Sequence, residues 1–263
     1  MELAETRDRA ALRALFSSDP GANLYQWGDL AEPLFGQARW FAAQSGEGLS
    51  AVLLLYTGTA TPVLLCSGEA DAVAHLLDRF TGEMPDCFYT KLDAARERAF
   101  AGRFALTGPA ALTVMMLGKF HPRPQPPRTT LQLLDERHAA GPLPQLLEHH
   151  PGNWFEPWQL THGIYAGAWL RGRLVSAAGT HAWAPAEGVA VLGNIVTHAG
   201  HRGKGLAAAT VSFLVRELRR SGCRHIGLHV ETANTAAIAC YESIGFRRHS
   251  ELTQYLALAK GTA

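Results

Sequence analysis

The sequence predicts an α/β (α+β) fold with two similar halves, each a mixed, mostly antiparallel sheet flanked by helices. The length of 263 residues corresponds to one or two domains of ordinary size. In the segment 121–127, four prolines fall within six residues, which excludes a helix interior or a central strand. Strand-like and helical runs alternate on both sides of this segment. We therefore predict a first domain over residues 1–121, a proline-rich linker over 122–128 and a second domain over 129–263.

In the first half, two β-rich runs flank Gly46-Glu47-Gly48, a pattern typical of a strand, a turn and a second strand. The segment Glu69–Phe80 is predicted to be a helix. Strands are predicted at Arg39–Ala43, Leu49–Tyr56, Pro62–Cys66, Cys87–Lys91 and Leu112–Leu117. This order weakly repeats that of the second half, although no repeat is visible at the level of single residues.

In the second half, Arg171-Gly172-Arg173 again separates two β-rich runs. The apolar residues of 206–220 recur every three to four positions, which predicts a helix, and Gly222 is a plausible stop. The remaining strands and helices follow the same alternation. The predicted strands are Thr130–Leu134, Gly163–Leu170, Leu174–Trp183, Gly188–Thr197 and His225–Val230, with one or two more in Phe246–Ala259; the helices are Pro142–His149, Leu206–Arg220 and Asn234–Ser243.

Composition and charge exclude several functional classes. The formal net charge of +1 gives no electrostatic reason to expect nucleic acid or a membrane surface as partner. No apolar run is long enough to span a membrane, and the charged N-terminus does not read as a secretory signal. The four cysteines are far apart and no H-E-x-x-H motif occurs, so we expect neither a metal nor a disulfide framework, and we expect a cytoplasmic protein.

The most informative segment is the loop between Thr197 and Leu206, which contains Arg202-Gly203-Lys204-Gly205. A strand precedes it and an amphipathic helix follows it. Small residues let the backbone approach a ligand closely, and the free N–H groups at the start of a helix attract an anion. The flanking Arg202 and Lys204 add positive charge. The loop is therefore predicted to hold a phosphate or pyrophosphate group.

Three ligands are possible for such a loop. A nucleoside triphosphate loop requires G-x-x-x-x-G-K-[ST], which the residues around Lys204 do not satisfy. The run Gly203-x-Gly205-x-x-Ala208 fits the dinucleotide fingerprint, and the following strand ends at the acidic Glu231. Too few β–α units follow the loop for a dinucleotide fold, however. This interpretation stays open as a less favoured alternative.

The third interpretation accounts for more residues. Arg202-x-x-Gly205-x-Ala207 follows a strand, and Asn234-x-x-Ala237-x-x-x-Tyr241-x-x-x-Gly245-Phe246 lies downstream. On these two motifs, residues 130–260 resemble the GNAT superfamily of acetyl-CoA-dependent N-acetyltransferases. The resemblance implies that the loop amides bind the coenzyme A pyrophosphate and that the pantetheine arm lies between two splayed strands. The coenzyme-binding residues it implies are Ile195, Val196, Thr197, Arg202, Gly203, Lys204, Gly205, Leu206, Ala207, Asn234, Ala237 and Tyr241.

The same resemblance assigns Tyr241 as the general acid that protonates the departing thiolate, and Asn234 as a partner of the pantetheine arm. The residues alone leave alternatives open. Asn234 is also suited to capping the helix that it begins, and Tyr241 is also suited to a position in the core. Seven residues are close to two helical turns, so the two side chains are expected on one face.

The general base is where the sequence departs from the family pattern, because the strand 189–197 carries no carboxylate. The candidates are His181 on the preceding strand, His229 or Glu231 on the following one, or a chain of water molecules. The segment Pro151–Trp158 combines aromatic residues with Glu156, which suits either a cationic amine acceptor or a turn held by buried aromatic rings.

We therefore predict that the second half transfers an acetyl group from acetyl-CoA to a primary amine of a small molecule or peptide. The first half is expected to be a degenerate GNAT-like copy, because Ser67–Asp71 lacks the glycine pair and carries Glu69 and Asp71. Two-half members of the superfamily, such as the glycine N-acyltransferase-like enzymes, have a similar layout. A non-catalytic coenzyme A-binding regulator remains an alternative, and the sequence gives no oligomeric state.

Overall fold

The computed structural model describes residues 1–46, 48–138, 141–150 and 153–260. The described residues form two compact units. The first unit contains Met1–Val114, Glu231–Ala233 and His249–Ala263, and the second contains Met115–Val230 and Asn234–Arg248. The C-terminal segment therefore belongs to the first unit, and the predicted division at residues 122–128 stays a proposal. Glu47 and Pro151-Gly152, which the sequence analysis assigned to turns, lie outside the described residues.

The first unit is a sheet flanked by helices. Its strands follow the order β1-β2-β3-β4-β5-β12-β6. Strands β4 and β5 are parallel, whereas the neighbours β1–β2, β2–β3, β3–β4 and β5–β12 are antiparallel. The strands are Glu2–Glu5 (β1), Ala38–Ser45 (β2), Gly48–Tyr56 (β3), Val63–Gly68 (β4), Cys87–Leu92 (β5), Phe104–Leu117 (β6) and Phe246–Ala259 (β12). The helices are Arg9–Ser17 (α1), Leu24–Gly28 (α2), Ala70–Phe80 (α3) and Ala94–Ala101 (α4). Residues 115–117 of β6 and 246–248 of β12 belong to the second unit.

The second unit has the same kind of sheet. Its order is β11-β10-β9-β8-β7, in which β10 and β11 are parallel and the other neighbours are antiparallel. The strands are Thr129–Leu134 (β7), Tyr165–Leu170 (β8), Arg173–Ala184 (β9), Val189–Thr197 (β10) and His225–Glu231 (β11). The helices are Pro142–Leu147 (α5), Gln159–His162 (α6), Leu206–Arg220 (α7) and Thr235–Ile244 (α8). The predicted mixed, mostly antiparallel fold is confirmed.

Each unit has its own apolar core. In the first, α3 packs its buried face, including Val73 and Leu77, against the inner residues of β2 and β3. In the second, α7 packs Val211, Leu214 and Val215 against β8, β9 and β10. The 3–4 spacing of apolar residues along α7 thus fixes which face of that helix points to the sheet. The first turn of α7 follows the predicted ligand loop, which begins at the end of β10.

Candidate active site

The two parallel strands of the second unit stop pairing part-way along their length. Backbone pairing between β10 and β11 runs from Val189↔His225 to Leu192↔Leu228. Beyond that point Ile195, Val196 and Thr197 line a cavity of about 850 Å³. A cavity of this size accommodates a cofactor-sized ligand.

A β-bulge lies at the end of this pairing. Gly193 of β10 faces Gly179 of β9, whereas Val196 faces Ala177, so β10 has one more residue than its partner across this interval. Asn194, inside the bulge, has a left-handed φ of 51°, which asparagine tolerates better than most residues. A bulge leaves ladder groups unpaired and redirects the strand. Backbone N–H and C=O groups near Ile195 are therefore available for a ligand.

A buried hydrogen-bond network holds the bulge. The Asn194 side chain is only 4% exposed, and its Nδ2 donates to the Tyr165 hydroxyl at 2.8 Å and to Gln159 Oε1 at 3.0 Å. The Tyr165 hydroxyl donates to the same Gln159 oxygen at 2.9 Å. Asn194 Oδ1 accepts from the backbone N–H of Trp154 at 3.2 Å. The network therefore joins the bulge to the aromatic segment that begins at residue 153.

Two aromatic rings lie directly on the glycines of this region. A Cβ atom added to Gly193 would lie 2.1 Å from Nε2 of His181, and one added to Gly179 would lie 2.1 Å from the Tyr165 ring. Both glycines are therefore required because a side chain would occupy the space of a ring. His181, one of the predicted bases, consequently touches the bulge.

The loop after β10 presents the start of α7 to the cavity. Gly203 and Gly205 have left-handed φ values of 73° and 74°. Gly205 is the N-cap of α7 and no side chain caps the helix, so the N–H groups of its first turn remain for an anion. Arg202 and Lys204 are bound to carbonyl oxygens of Thr197 and Gly200 respectively, which holds both cations beside the loop.

The cavity brings together eleven of the twelve residues that the resemblance implied for coenzyme binding, all except Asn234. Asn234 is exposed, and its Oδ1 accepts from Ala237 N at 3.1 Å as the N-cap of α8. Among the described lining residues, the basic side chains are Arg123, His201, Arg202 and Lys204, and none is acidic. The cavity therefore suits a ligand with several negative charges.

Tyr241 lies on α8 and is 6% exposed. Its ring packs against Phe246 at a centroid distance of 6.1 Å, and the residue also lines the cavity. Burial raises the pKa of the Tyr241 hydroxyl above its usual value. The hydroxyl therefore keeps its proton at neutral pH and can donate it to a ligand.

The three predicted bases are not among the described residues that line the cavity. His181 on β9 and His229 on β11 are half-buried, whereas Glu231 is exposed at the end of β11 and is grouped with the first unit. Their roles stay predictions. In the aromatic segment, Phe155 packs on the Tyr165 ring at 5.8 Å, and Trp154 is 37% exposed.

Sequence reasoning missed two parts of this site. One is the network of Asn194, Gln159 and Tyr165. Its one signal in the sequence is an asparagine inside a predicted strand. The other is the proline-rich segment, which was interpreted as a linker but whose residues 123–127 line the cavity. Four prolines predict an extended conformation, but they do not indicate what the segment packs against.

The family model for the acetyltransferase (GNAT) family matches residues 130–246, the same residues that form the bulge, the loop and the helices around the cavity. These residues form a GNAT domain. A 99-residue segment is 35% identical to the mycothiol acetyltransferase of Geodermatophilus obscurus, and covers 36% of this chain and 32% of that protein. A 72-residue segment is 35% identical to the [ribosomal protein bS18]-alanine N-acetyltransferase of Escherichia coli, and covers 27% of this chain and 49% of that protein.

The alignments thus span about a third to a half of these curated relatives. Over its full length, the chain has the fold of a tandem GNAT protein from the clavulanic acid biosynthesis pathway, with a TM-score of 0.61 and 16% identity, covering 100% of both chains. The GNAT-like fold therefore extends to the first half. In the described residues, no group of three or more His, Cys, Asp or Glu side chains is placed to hold a metal ion, and no helix has the length and apolarity to cross a membrane.

Proposed function

We propose that this protein is an N-acetyltransferase that moves an acetyl group from acetyl-CoA directly to a primary amine. The observation that carries the proposal is the cavity at the end of β10. It combines uncapped helix N–H groups, four basic side chains, no acidic side chain among the described lining residues, and a buried tyrosine hydroxyl. Membership of residues 130–246 in the GNAT family supports the same chemistry.

The residues present fit coenzyme A. Its pyrophosphate requires N–H donors and positive charge, which the first turn of α7, Arg202 and Lys204 supply. Its pantetheine arm is amide-like and requires backbone partners, which the stretch Ile195–Thr197 would offer on the edge where pairing with β11 has ended. When bound, acetyl-CoA supplies an activated thioester. Glu231 at the end of β11, which would suit a dinucleotide, does not line the cavity, so the dinucleotide alternative has less support.

We assign two roles to the residues beside the reacting atoms. A backbone N–H of the bulge, within Gly193–Thr197, would stabilise negative charge on the carbonyl oxygen during attack. The Tyr241 hydroxyl would donate to the departing sulfur as general acid. Burial raises the pKa of this phenol, and burial raises that of a thiol held beside it as well. The two pKa values therefore shift in the same direction.

The incoming amine must lose a proton, because an alkylamine has a pKa of about 10. We favour His181 for this step, directly or through a water, because its ring touches Gly193 of the bulge. The acceptor itself stays open between a small molecule and a peptide; the names of the two relatives print mycothiol and a ribosomal protein. Trp154 and Glu156 at the exposed edge of the aromatic segment suit a cationic amine. The four cysteines are free, which supports a reducing, cytoplasmic compartment.

The test combines binding with turnover. Thermal-shift and calorimetric titrations should show stabilisation by acetyl-CoA and none by NAD(H). Release of free coenzyme A, followed with a thiol reagent across a panel of amines and N-terminal peptides, should then identify the acceptor class. Binding of NAD(H) in place of acetyl-CoA would overturn the proposal. Tight acetyl-CoA binding without turnover on any acceptor would instead favour the coenzyme A-binding regulator.

A further inference from the structure

The proline-rich segment His121–Pro127, here the proline strap, is fixed to the second unit. His121 N donates to Ile244 O at the end of α8 at 2.8 Å, and Arg123 N donates to Ser212 Oγ of α7 at 3.0 Å. At its other end, the backbone N–H of Thr129 donates to Pro126 O at 3.4 Å. The strap is therefore a held piece of backbone that connects α8, α7 and the start of β7.

Residues 123–127 of the strap form one side of the cavity. Other lining residues belong to the loop, to the first turn of α7 and to α8, namely Ala236, Ala237, Cys240 and Ser243. Proline has no N–H and a fixed φ, so the strap offers few backbone donors and little freedom to collapse. Any recognition of an anion by this wall must come from its side chains, and Arg123 is its one cation among the cavity-lining residues.

Arg123 is a cation without an acidic partner among the described residues. Its residue is exposed, and within the described part of the chain no acidic side chain pairs with it, in contrast to Arg39, Arg96 and Arg103. Its charge acts on the Cys240 thiol, lowering a pKa that burial raises. Arg123 and Cys240 of α8 line the same cavity.

The position of Arg123 along α7 separates it from the loop. Its backbone is bound at Ser212, six residues after Leu206, which corresponds to about 9 Å along a helix at 1.5 Å per residue. For a ligand whose pyrophosphate lies on the loop, the group expected at Arg123 is a second anionic group placed further along α7. Coenzyme A carries such a group, the 3′-phosphate, one ribose away from its pyrophosphate.

We propose that the proline strap is a second phosphate-binding element, in which Arg123 binds the 3′-phosphate of coenzyme A and so selects coenzyme A over dephospho-coenzyme A. This inference rests on the proposed use of acetyl-CoA by the same cavity. It gives the strap a role in ligand selection that the glycine loop does not have. The loop contacts a pyrophosphate that both compounds share.

Calorimetry with the full chain tests this assignment. Wild type should bind coenzyme A about 10-fold more tightly than dephospho-coenzyme A, the size expected for a charge-assisted contact at an exposed site. In Arg123→Gln this ratio should fall to about one, through weaker binding of coenzyme A alone. Arg128→Gln removes an exposed cation of the same region that does not line the cavity, and it should leave the ratio unchanged.

The other outcomes separate this inference from the proposed function. If Arg123→Gln weakens the binding of both compounds equally, Arg123 contacts the pyrophosphate. If both affinities are unchanged, it contacts neither phosphate group. Either result overturns the inference and leaves the proposed function standing. Failure of wild type to bind either compound would overturn both. Unfolding curves for each variant confirm that a loss of binding is not a loss of fold.

Discussion

Each unit contains a strand, a loop and a helix followed by a parallel strand. The units differ in what borders the first strand beyond its pairing with the parallel one. In the first unit, β4 pairs with β5 at Val63↔Tyr89 and Leu64↔Thr90. Beyond these pairs the Cys66 carbonyl accepts a hydrogen bond at 3.0 Å from Nε2 of Gln26, a buried side chain of α2. In the second unit, the corresponding stretch Ile195–Thr197 borders a cavity.

The loop after the first strand is crowded in the first unit and open in the second. Gly68 has a left-handed φ of 90°, but a Cβ added to it would lie 2.1 Å from the Ser50 carbonyl oxygen. The backbone N–H of Glu69 donates to that same oxygen at 2.9 Å, and the Arg96 guanidinium binds the Gly68 carbonyl. At Gly203 and Gly205 an added Cβ would meet nothing within 4 Å. A left-handed glycine thus marks an anion site only where open space faces its backbone.

The largest effect is expected from Gly205→Val, which should abolish acetyl-CoA binding, a loss of roughly 100-fold or more. A branched side chain at a left-handed residue strains the loop and occupies the open space in front of the N–H groups. Gly172→Val is the matched control, because Gly172 also has a left-handed φ of 75° with nothing within 4 Å of an added Cβ but does not line the cavity. Calorimetry that shows equal acetyl-CoA affinity in the two folded variants would contradict the comparison.

Tyr241→Phe should lower kcat by about 100-fold and leave acetyl-CoA affinity nearly unchanged, because it removes only a positioned proton donor. The ring stays, so the packing against Phe246 is kept. Tyr255→Phe, on β12 of the first unit, serves as control and should not affect turnover. If Tyr241→Phe keeps turnover within about threefold of wild type, the tyrosine is a core residue and the assigned role is wrong.

Asn194→Ala should lower the free energy of unfolding by about 2 kcal/mol, because loss of the amide leaves its buried partners without a hydrogen bond. It should also lower kcat by roughly 10-fold through a shifted bulge. Asn194→Gly separates the two causes, since glycine relieves the left-handed φ but also lacks the amide. Kinetics and urea unfolding that recover fully in Asn194→Gly would show that the network positions nothing and that backbone strain explains the loss.

The sequence predicted the parts of the site that depend on local chemistry. Gly203 and Gly205 were predicted because small residues let the backbone turn tightly and approach a ligand. Tyr241 was predicted because the downstream motif resembles that of the GNAT superfamily, and its spacing from Asn234 places both residues on one helix face. The contacts that hold the site were out of reach, because they join residues far apart in the chain. Gln159 and Asn194 are separated by 35 residues, and Arg123 and Ser212 by 89.

The first unit keeps ionisable groups in its interior, and this should make its stability depend on pH. Burial raises the pKa of Asp29 to about 7, against the opposing charge of Lys91. The folded state therefore binds a proton on Asp29 that the unfolded chain releases, because the carboxyl pKa there is about 3.9. The free energy of unfolding should fall by about 1 kcal/mol or more as the pH rises from 5 to 7. Urea unfolding of Asp29→Asn should lack this part of the slope, and parallel profiles for the two proteins would contradict the assignment.

The smallest effect should come from Gln26→Ala, which removes the side chain that binds the Cys66 carbonyl. Loss of this buried hydrogen bond should lower the free energy of unfolding by about 1 kcal/mol, while Gln132→Ala, at an exposed position of β7, should change it little. Acetyl-CoA should bind with the same affinity and a stoichiometry of one per chain in wild type and both variants, because the loop at Gly68 is closed by its contacts with Ser50. If Gln26→Ala bound a second equivalent of acetyl-CoA, the Gln26 side chain alone would be what prevents binding beside β4 of the first unit.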